Sequence, residues 1–200
     1  MTARAGNEPA AGSGAVAGGK PATGSEAARF RAVFGHFPTG VSVVTGLGAR
    51  GPGAMTANAV CSLSLDPLLI LVCFDNGART LPLVRETKRF GVNVLRADQH
   101  HLSRLFASKR PERQKFTGVP WTERDGIPVL DGALAWLACD LTRLVPGGDH
   151  TIGIGAVTAM EHSDGEPLVF YRGEYRSLHD AAASDPPRPV RTPPSAPGRP

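Results

Sequence analysis

Aromatic residues are scarce, 6% of 200 residues with two Trp and two Tyr, and there are only three cysteines. Cys61, Cys73 and Cys139 are odd in number and far apart, which excludes a disulfide framework. Each lies in an apolar stretch and is expected as a buried, reduced thiol, which points to a reducing compartment and so to the cytoplasm. No Cys/His set has zinc spacing, so no metal site is expected. The adjacent His100 and His101 point to different sides of one helix. No apolar run approaches the ~20 residues of a bilayer-spanning helix. The Ala/Gly-rich N-terminus lacks the compact hydrophobic segment of a secretory leader, and no membrane role is expected. The absence of a G-x-S-x-G elbow leaves a serine hydrolase little support. Charge of one sign is also sparse. Residues 1–29 and 180–200 each contribute +1 of the net +4, which leaves +2 for 30–179. A pI near 9.3 therefore does not indicate nucleic-acid binding, and no helix is basic along one face.

What is present organises into one unit. Residues 1–24 are mostly Ala, Gly, Ser, Thr and Pro, and 181–200 carry seven prolines. Both read as disordered tails, because neither has the apolar area to offset ordering entropy. The folded unit is expected over 25–180. Ser25 can cap an opening helix whose Phe30, Val33, Phe34 and Phe37 share one face, with Pro38-Thr39-Gly40 stopping it. Val41–Thr45 reads as a strand, 46–53 as a turn, 54–65 as one extended stretch and Leu68–Phe74 as a fully buried strand. A helix is expected from Thr80 to Lys88, a strand over Phe90–Leu95 and a helix capped by Asp98 through Leu102, Leu105 and Phe106. A basic, Pro-containing loop follows, then strands over 133–145, 151–161 and 168–171. Six or seven short strands with three short helices imply a mainly β protein, an antiparallel barrel that leaves no exposed edge.

Five features carry candidate chemistry. Gly46-Leu-Gly-Ala-Arg-Gly51 matches a dinucleotide fingerprint, but Pro52-Gly53 and β-type sequence follow where a helix is required, so it reads as a hairpin loop. Thr56, Asn58, Ser62 and Ser64 alternate with Met55, Val60, Leu63 and Leu65. They are either outward polar positions of a strand or the lining of a pocket for a planar polar heterocycle. Asp149-His150 at a turn is either structural or a titratable catalytic pair. Arg104, Lys109, Arg110, Arg113 and Lys115 face only Glu112. That run is either a solvated basic surface or a site for a phosphate-bearing small molecule. Tyr171 and Tyr175, with Arg172 between, either pack a last strand or stack on a ring.

The order of these blocks resembles the flavin reductase domain family. Phe37-Pro-Thr-Gly-Val-Ser-Val-Val-Thr45, Ala54-Met-Thr-Ala-Asn58 and Cys61-Ser-Leu-Ser-Leu-Asp-Pro67 come first. Arg79-Thr80, Arg89-Phe-Gly-Val-Asn-Val-Leu95, Lys115-Phe116, Gly148-Asp-His-Thr151 and Leu168-Val-Phe-Tyr-Arg-Gly-Glu-Tyr175 follow, spanning residues 29–178. The resemblance implies an FMN-binding split barrel of Greek-key-like antiparallel strands, working as a homodimer. It implies FMN or FAD as bound flavin, NADH or NADPH as hydride donor, and a flavin-dependent monooxygenase as the partner that takes reduced flavin. It places Met55, Thr56, Ala57, Asn58, Ala59 and Val60 along the isoalloxazine ring. Ser62, Leu63, Cys73, Phe74, Asp75, Asn76, Gly77, Ala78 and Thr80 would hold ring, ribityl and phosphate, with Lys115 and Phe116 at the phosphate end. His150 is expected beside flavin and nicotinamide with Asp149 orienting it, and Tyr171 and Tyr175 in the closing segment. Ala59 and Val60 depart from the family's common serine and aromatic, and Asn76-Gly77-Ala78 from a serine-rich turn. A flavin carrier or sensor of the same fold is the alternative, and a related barrel oxidase acting on a small amine or B6 compound is a further one.

Overall fold

The computed structural model describes residues 24–178. The tails expected over 1–24 and 181–200 lie outside the described residues, Gly24 excepted. Helix α1 (Gly24–Phe34) is followed by β1 (Thr39–Gly40), β2 (Ser42–Gly48), β3 (Gly51–Ala57), β4 (Val60–Leu65) and β5 (Leu68–Asp75). Then come α2 (Thr80–Thr87), β6 (Arg89–Val94), a 3-10 turn at Ala97–Gln99, α3 (His100–Ala107) and α4 (Glu112–Phe116). Strands β7 (Trp121–Arg124), β8 (Ile127–Leu130), β9 (Ala135–Gly147), β10 (His150–His162), β11 (Val169–Tyr171) and β12 (Glu174–Arg176) complete the described chain.

Seven strands form one antiparallel sheet in the order β3-β2-β6-β9-β10-β5-β4. It curls until β3, at one end, lies beside β5 near the other without hydrogen-bonding to it. The mainly β, barrel-like architecture expected from the strand series is thus present, but split: β3 and β4 remain edges, where a closed barrel would leave none. The expected single stretch over 54–65 is in fact these two edge strands, separated at Asn58-Ala59 and carried to opposite ends of the sheet.

Inward side chains of alternate residues make the core. Val72 and Phe74 of β5, Phe90 and Val92 of β6, Val44 of β2 and Val84 of α2 are fully buried together. A second cluster joins Val43, Leu95, Leu102, Phe106, Phe116 and Leu130. Helix α2 packs on the β2–β3 hairpin because that hairpin is glycine-rich. A Cβ on Gly48 or Gly53 would lie 2.6 or 2.8 Å from the Leu83 side chain. The Gly46–Gly51 run therefore admits a helix face and forms the β2–β3 hairpin, as expected.

Four expectations change. The opening helix ends at Phe34, short of Phe37 and Pro38, and Phe30, Val33, Phe34 and Phe37 are 58–67% exposed. The basic loop holds α4 and the β7–β8 hairpin, which Asn93 pins by accepting from Leu130 N at 2.8 Å and donating to the Pro128 carbonyl at 3.3 Å. Asp98 lies within the 3-10 turn, and Gln99 occupies the N-cap of α3 without a capping bond, its amide instead accepting from Arg96 N and donating to Asp131 O. Only Cys139 is buried; Cys73 is half-buried and Cys61 exposed.

Candidate functional site

A cleft of about 430 Å³ opens beside the free edge of β3. One wall is Ala54, Met55 and Thr56, a second is the turn and helix start Asp75–Thr80, and the third is Phe106–Lys109 with Glu112 and Lys115. Ala54, Met55, Ala78, Phe106 and Ala107 give it apolar surface, and its cations Arg79, Lys109 and Lys115 come from the last two walls. That combination suits a planar ring system bearing a phosphate.

An edge strand leaves backbone groups without partners, and here one ion pair satisfies them. Glu112 Oε2 accepts from Ala54 N at 2.9 Å, and Lys115 Nζ donates to Ala54 O at 3.1 Å. Lys115 also donates to Phe106 O at 3.2 Å and reaches Glu112 Oε1 at 3.2 Å, with only 5% of its side chain exposed. An ammonium has three protons, and all three are engaged. Arg79 Nε donates to the same Glu112 Oε1 at 3.1 Å, while its other nitrogens meet the carbonyls of Lys109 and Arg110. Among the described residues, Lys109 is the cleft cation with no ion-pair partner.

The Asp149-His150 turn adjoins the second wall, because β10 pairs His150 with the lining Asp75 of β5, but neither Asp149 nor His150 itself lines the cleft. Asn76 clamps the two turns together. Its amide nitrogen donates to Gly148 O at 3.2 Å, its backbone N to Asp149 O at 3.1 Å, and its Oδ1 accepts from Thr151 Oγ1 at 2.7 Å. His150 Nδ1 lies 2.7 Å from Asp149 Oδ1, with 42% of the imidazole side chain exposed. The hydrogen bond to His150, then the charge of His150, holds the Asp149 carboxyl below its ordinary range. An ionised Asp149 fixes the proton on Nδ1 and leaves Nε2 free to face a ligand.

Of the residues singled out from sequence, Met55, Thr56, Asp75, Gly77, Ala78, Thr80 and Lys115 line this cleft. Phe74 and Phe116 do not offer their rings to it: Phe74 packs edge-on against Phe90 in the core, and Phe116 against Phe106 and Trp121. Ala57 is in the core, Val60 packs against it and Cys73 is half-buried. Asn58 and Ala59 are exposed, as are Ser62 and Leu63 out on edge strand β4. Tyr171 packs against His36. Tyr175 donates to Ser103 Oγ at 2.9 Å beneath the Arg104 guanidinium, and Thr56 donates to the Ser103 carbonyl at 2.6 Å. Sequence reasoning did not pick out Arg79, Ser108 or Glu112 as lining, whereas Lys109 belongs to the basic run for which a phosphate site was one of two readings. The Glu112-x-x-Lys115 spacing, which puts both on one helical face, was the available signal. A second hollow of about 510 Å³, between β7 and the far ends of β9 and β10, contains none of the expected site residues.

Comparison with known proteins covers nearly all of the described residues. The flavin reductase like domain profile matches residues 34–179. An NADH-dependent flavin reductase of a Rhodococcus species is 40% identical over 161 residues, 78% of this chain and 89% of that protein. The flavin-dependent monooxygenase reductase subunit HsaB of Rhodococcus jostii is 37% identical, covering 84% of each. Among solved structures, the Streptomyces globisporus NADH:FAD oxidoreductase SgcE6, in complex with NAD and FAD fragments, superposes with a TM-score of 0.74. It is 37% identical over 79% of this chain and 96% of that one. With the split antiparallel barrel and the matched length, this chain belongs to the flavin reductase like domain family.

Proposed function

We propose that the chain is an NAD(P)H-dependent flavin reductase that hands reduced FMN or FAD to a separate flavin-dependent monooxygenase. The observation that carries this is the cleft along the β3 edge, with a histidine paired beside its lining Asp75. Its apolar wall and its cations fit a flavin, and its relatives are named as reductases and reductase components. A bound flavin supplies the chemistry, acceptance of hydride at N5 from C4 of a stacked nicotinamide. The residues supply position, which is the larger part of such catalysis. Met55 and Ala78 offer apolar surface to a ring, and Lys109 is placed to attract a phosphate. His150, held by Asp149 and by the Asn76 clamp, presents Nε2 to hydrogen-bond the ring system or the nicotinamide as charge develops.

A second copy of the chain completes the unit. Since Ile70, Val72 and Phe74 point inward, Leu69, Leu71 and Cys73 point outward, in register with Ala156, Ile154 and Ile152 of β10. Leu63, Leu65 and Leu68 are 41–84% exposed, and the aromatic face of α1 is bare. Surface this apolar calls for a partner, and a two-fold homodimer is the commonest solution. The free thiols among the described residues fit a cytoplasmic setting, and no described helix is long and apolar enough to cross a membrane. The test is Ala78→Trp, which fills the cleft. It should abolish flavin binding, read by fluorescence quenching, with an unchanged circular dichroism spectrum. Undiminished binding would move the flavin elsewhere.

A further inference from the structure

Five charged residues line the cleft: Arg79, Lys109 and Lys115 against Asp75 and Glu112. Glu112 is the hub. One carboxylate oxygen takes both Arg79 Nε and Lys115 Nζ, at 3.1 and 3.2 Å, and the other caps Ala54 N. With 21% of its side chain exposed, it faces the cleft wall and is poorly screened. Arg79 and Lys115 are thereby committed to the scaffold, and a ligand phosphate meets Lys109 together with the Asp75 carboxylate, which accepts from Gly77 N at 2.6 Å and has no ion-pair partner among the described residues.

We infer that Glu112 is a specificity-determining residue that biases this cleft against a terminal phosphate dianion and toward a phosphate esterified on both sides. The inference rests on the flavin reading above and concerns which flavin the cleft prefers. The terminal phosphate of FMN has a second pKa of about 6 and carries close to two charges at neutral pH. The pyrophosphate of FAD also carries two charges, but one on each phosphate, so the phosphate equivalent to the terminal one of FMN carries a single charge. Riboflavin has none. A carboxylate that ties up two cations penalises the dianion most, the monoanion less and the neutral flavin not at all.

The full-length protein is titrated with riboflavin, FMN and FAD, following flavin fluorescence, for the wild type and for Glu112→Gln. The neutral amide can still accept from Ala54 N while releasing Arg79 and Lys115. The wild type is expected to bind FAD more tightly than FMN. Glu112→Gln should tighten FMN about tenfold and FAD about threefold, and leave riboflavin within about twofold, the ordering Coulombic repulsion dictates. Equal shifts for all three ligands would make Glu112 a purely structural brace and overturn the inference, as would an unchanged FMN affinity. Should the variant fail to fold, the wild-type ordering decides: FMN tighter than FAD overturns it. If no flavin binds the wild type, the flavin reading itself fails, an outcome separate from all of these.

Discussion

Replacing Lys115 by Met separates two roles that a lysine lining a cleft can have. The side chain is 5% exposed and its ammonium meets Ala54 O, Phe106 O and Glu112 Oε1 at 3.1–3.2 Å. Met keeps the aliphatic stem and removes the charge. Two carbonyls lose a charged donor and Glu112 loses one of two cations. Breaking a buried pair costs about 3–5 kcal/mol, and because Arg79 still reaches Glu112 the lower end applies, about 3 kcal/mol. For a chain of this size that is a fall of roughly 6–12 °C in Tm. Thermal and urea unfolding without ligand measure it directly. The Glu112→Gln/Lys115→Met double variant should lose less than the sum of the singles, since the two share one interaction. A Lys115→Met protein that melts with the wild type but binds flavin poorly would refute the reasoning and make Lys115 a direct phosphate ligand.

Other consequences follow from single sites. His150→Ala should lower kcat by tenfold or more in steady-state assays while leaving Tm within 2 °C, roughly the range of an exposed substitution; unchanged kinetics would remove His150 from the reaction. Asp149 has a lowered carboxyl pKa, so its ionised contact with His150 is intact above the ordinary value of 3.8 and is lost as pH falls below it. Activity between pH 5 and 8 should therefore show no titration from Asp149, which a pH–rate profile compared with Asp149→Asn checks. Burial raises the Cys139 thiol to about 12. Its contribution to stability is present below the unfolded value near 9 and is lost as pH rises from there toward 12; in mass-spectrometric labelling at pH 8, Cys61 should react first and Cys139 only on unfolding. A Cβ at Gly155 would lie 2.5 Å from the Phe90 ring and 2.9 Å from Cys139 Cβ. Gly155→Ala should therefore cost about 2 kcal/mol by overpacking, measured by urea unfolding.

Most of the barrel could be read from β-branched and alternating runs, because a strand's burial pattern is local: Val43-Val44, Leu68–Phe74 and Phe90–Val94 announce themselves. The β7–β8 hairpin did not, since Thr122, Glu123 and Arg124 are polar and Pro128 breaks the strand signature. Its stability comes from Asn93, 37 residues earlier than its partner Leu130. The α1 stripe was legible as a stripe, but periodicity says only that a face is apolar, not whether the same chain covers it. Alternation could have placed Phe74 inward, since it shares parity with Ile70 and Val72. The cleft's polar hub was hidden for a different reason. Glu112 looks like one acid in a basic run, and only the fold reveals that it caps an edge strand 58 residues away. What the family resemblance contributed was order along the chain. Which of those residues face a cavity is a property of the packing.

The central claim is hydride transfer from a reduced nicotinamide to flavin in this cleft. Its most direct test is the loss of reduced-nicotinamide absorbance when purified protein is mixed with NADH or NADPH and with FMN or FAD. Rapid, protein-dependent oxidation with at least one pair, abolished in Ala78→Trp, is the predicted result. Flavin binding without nicotinamide oxidation in any pair would contradict the claim and make the protein a flavin carrier or sensor.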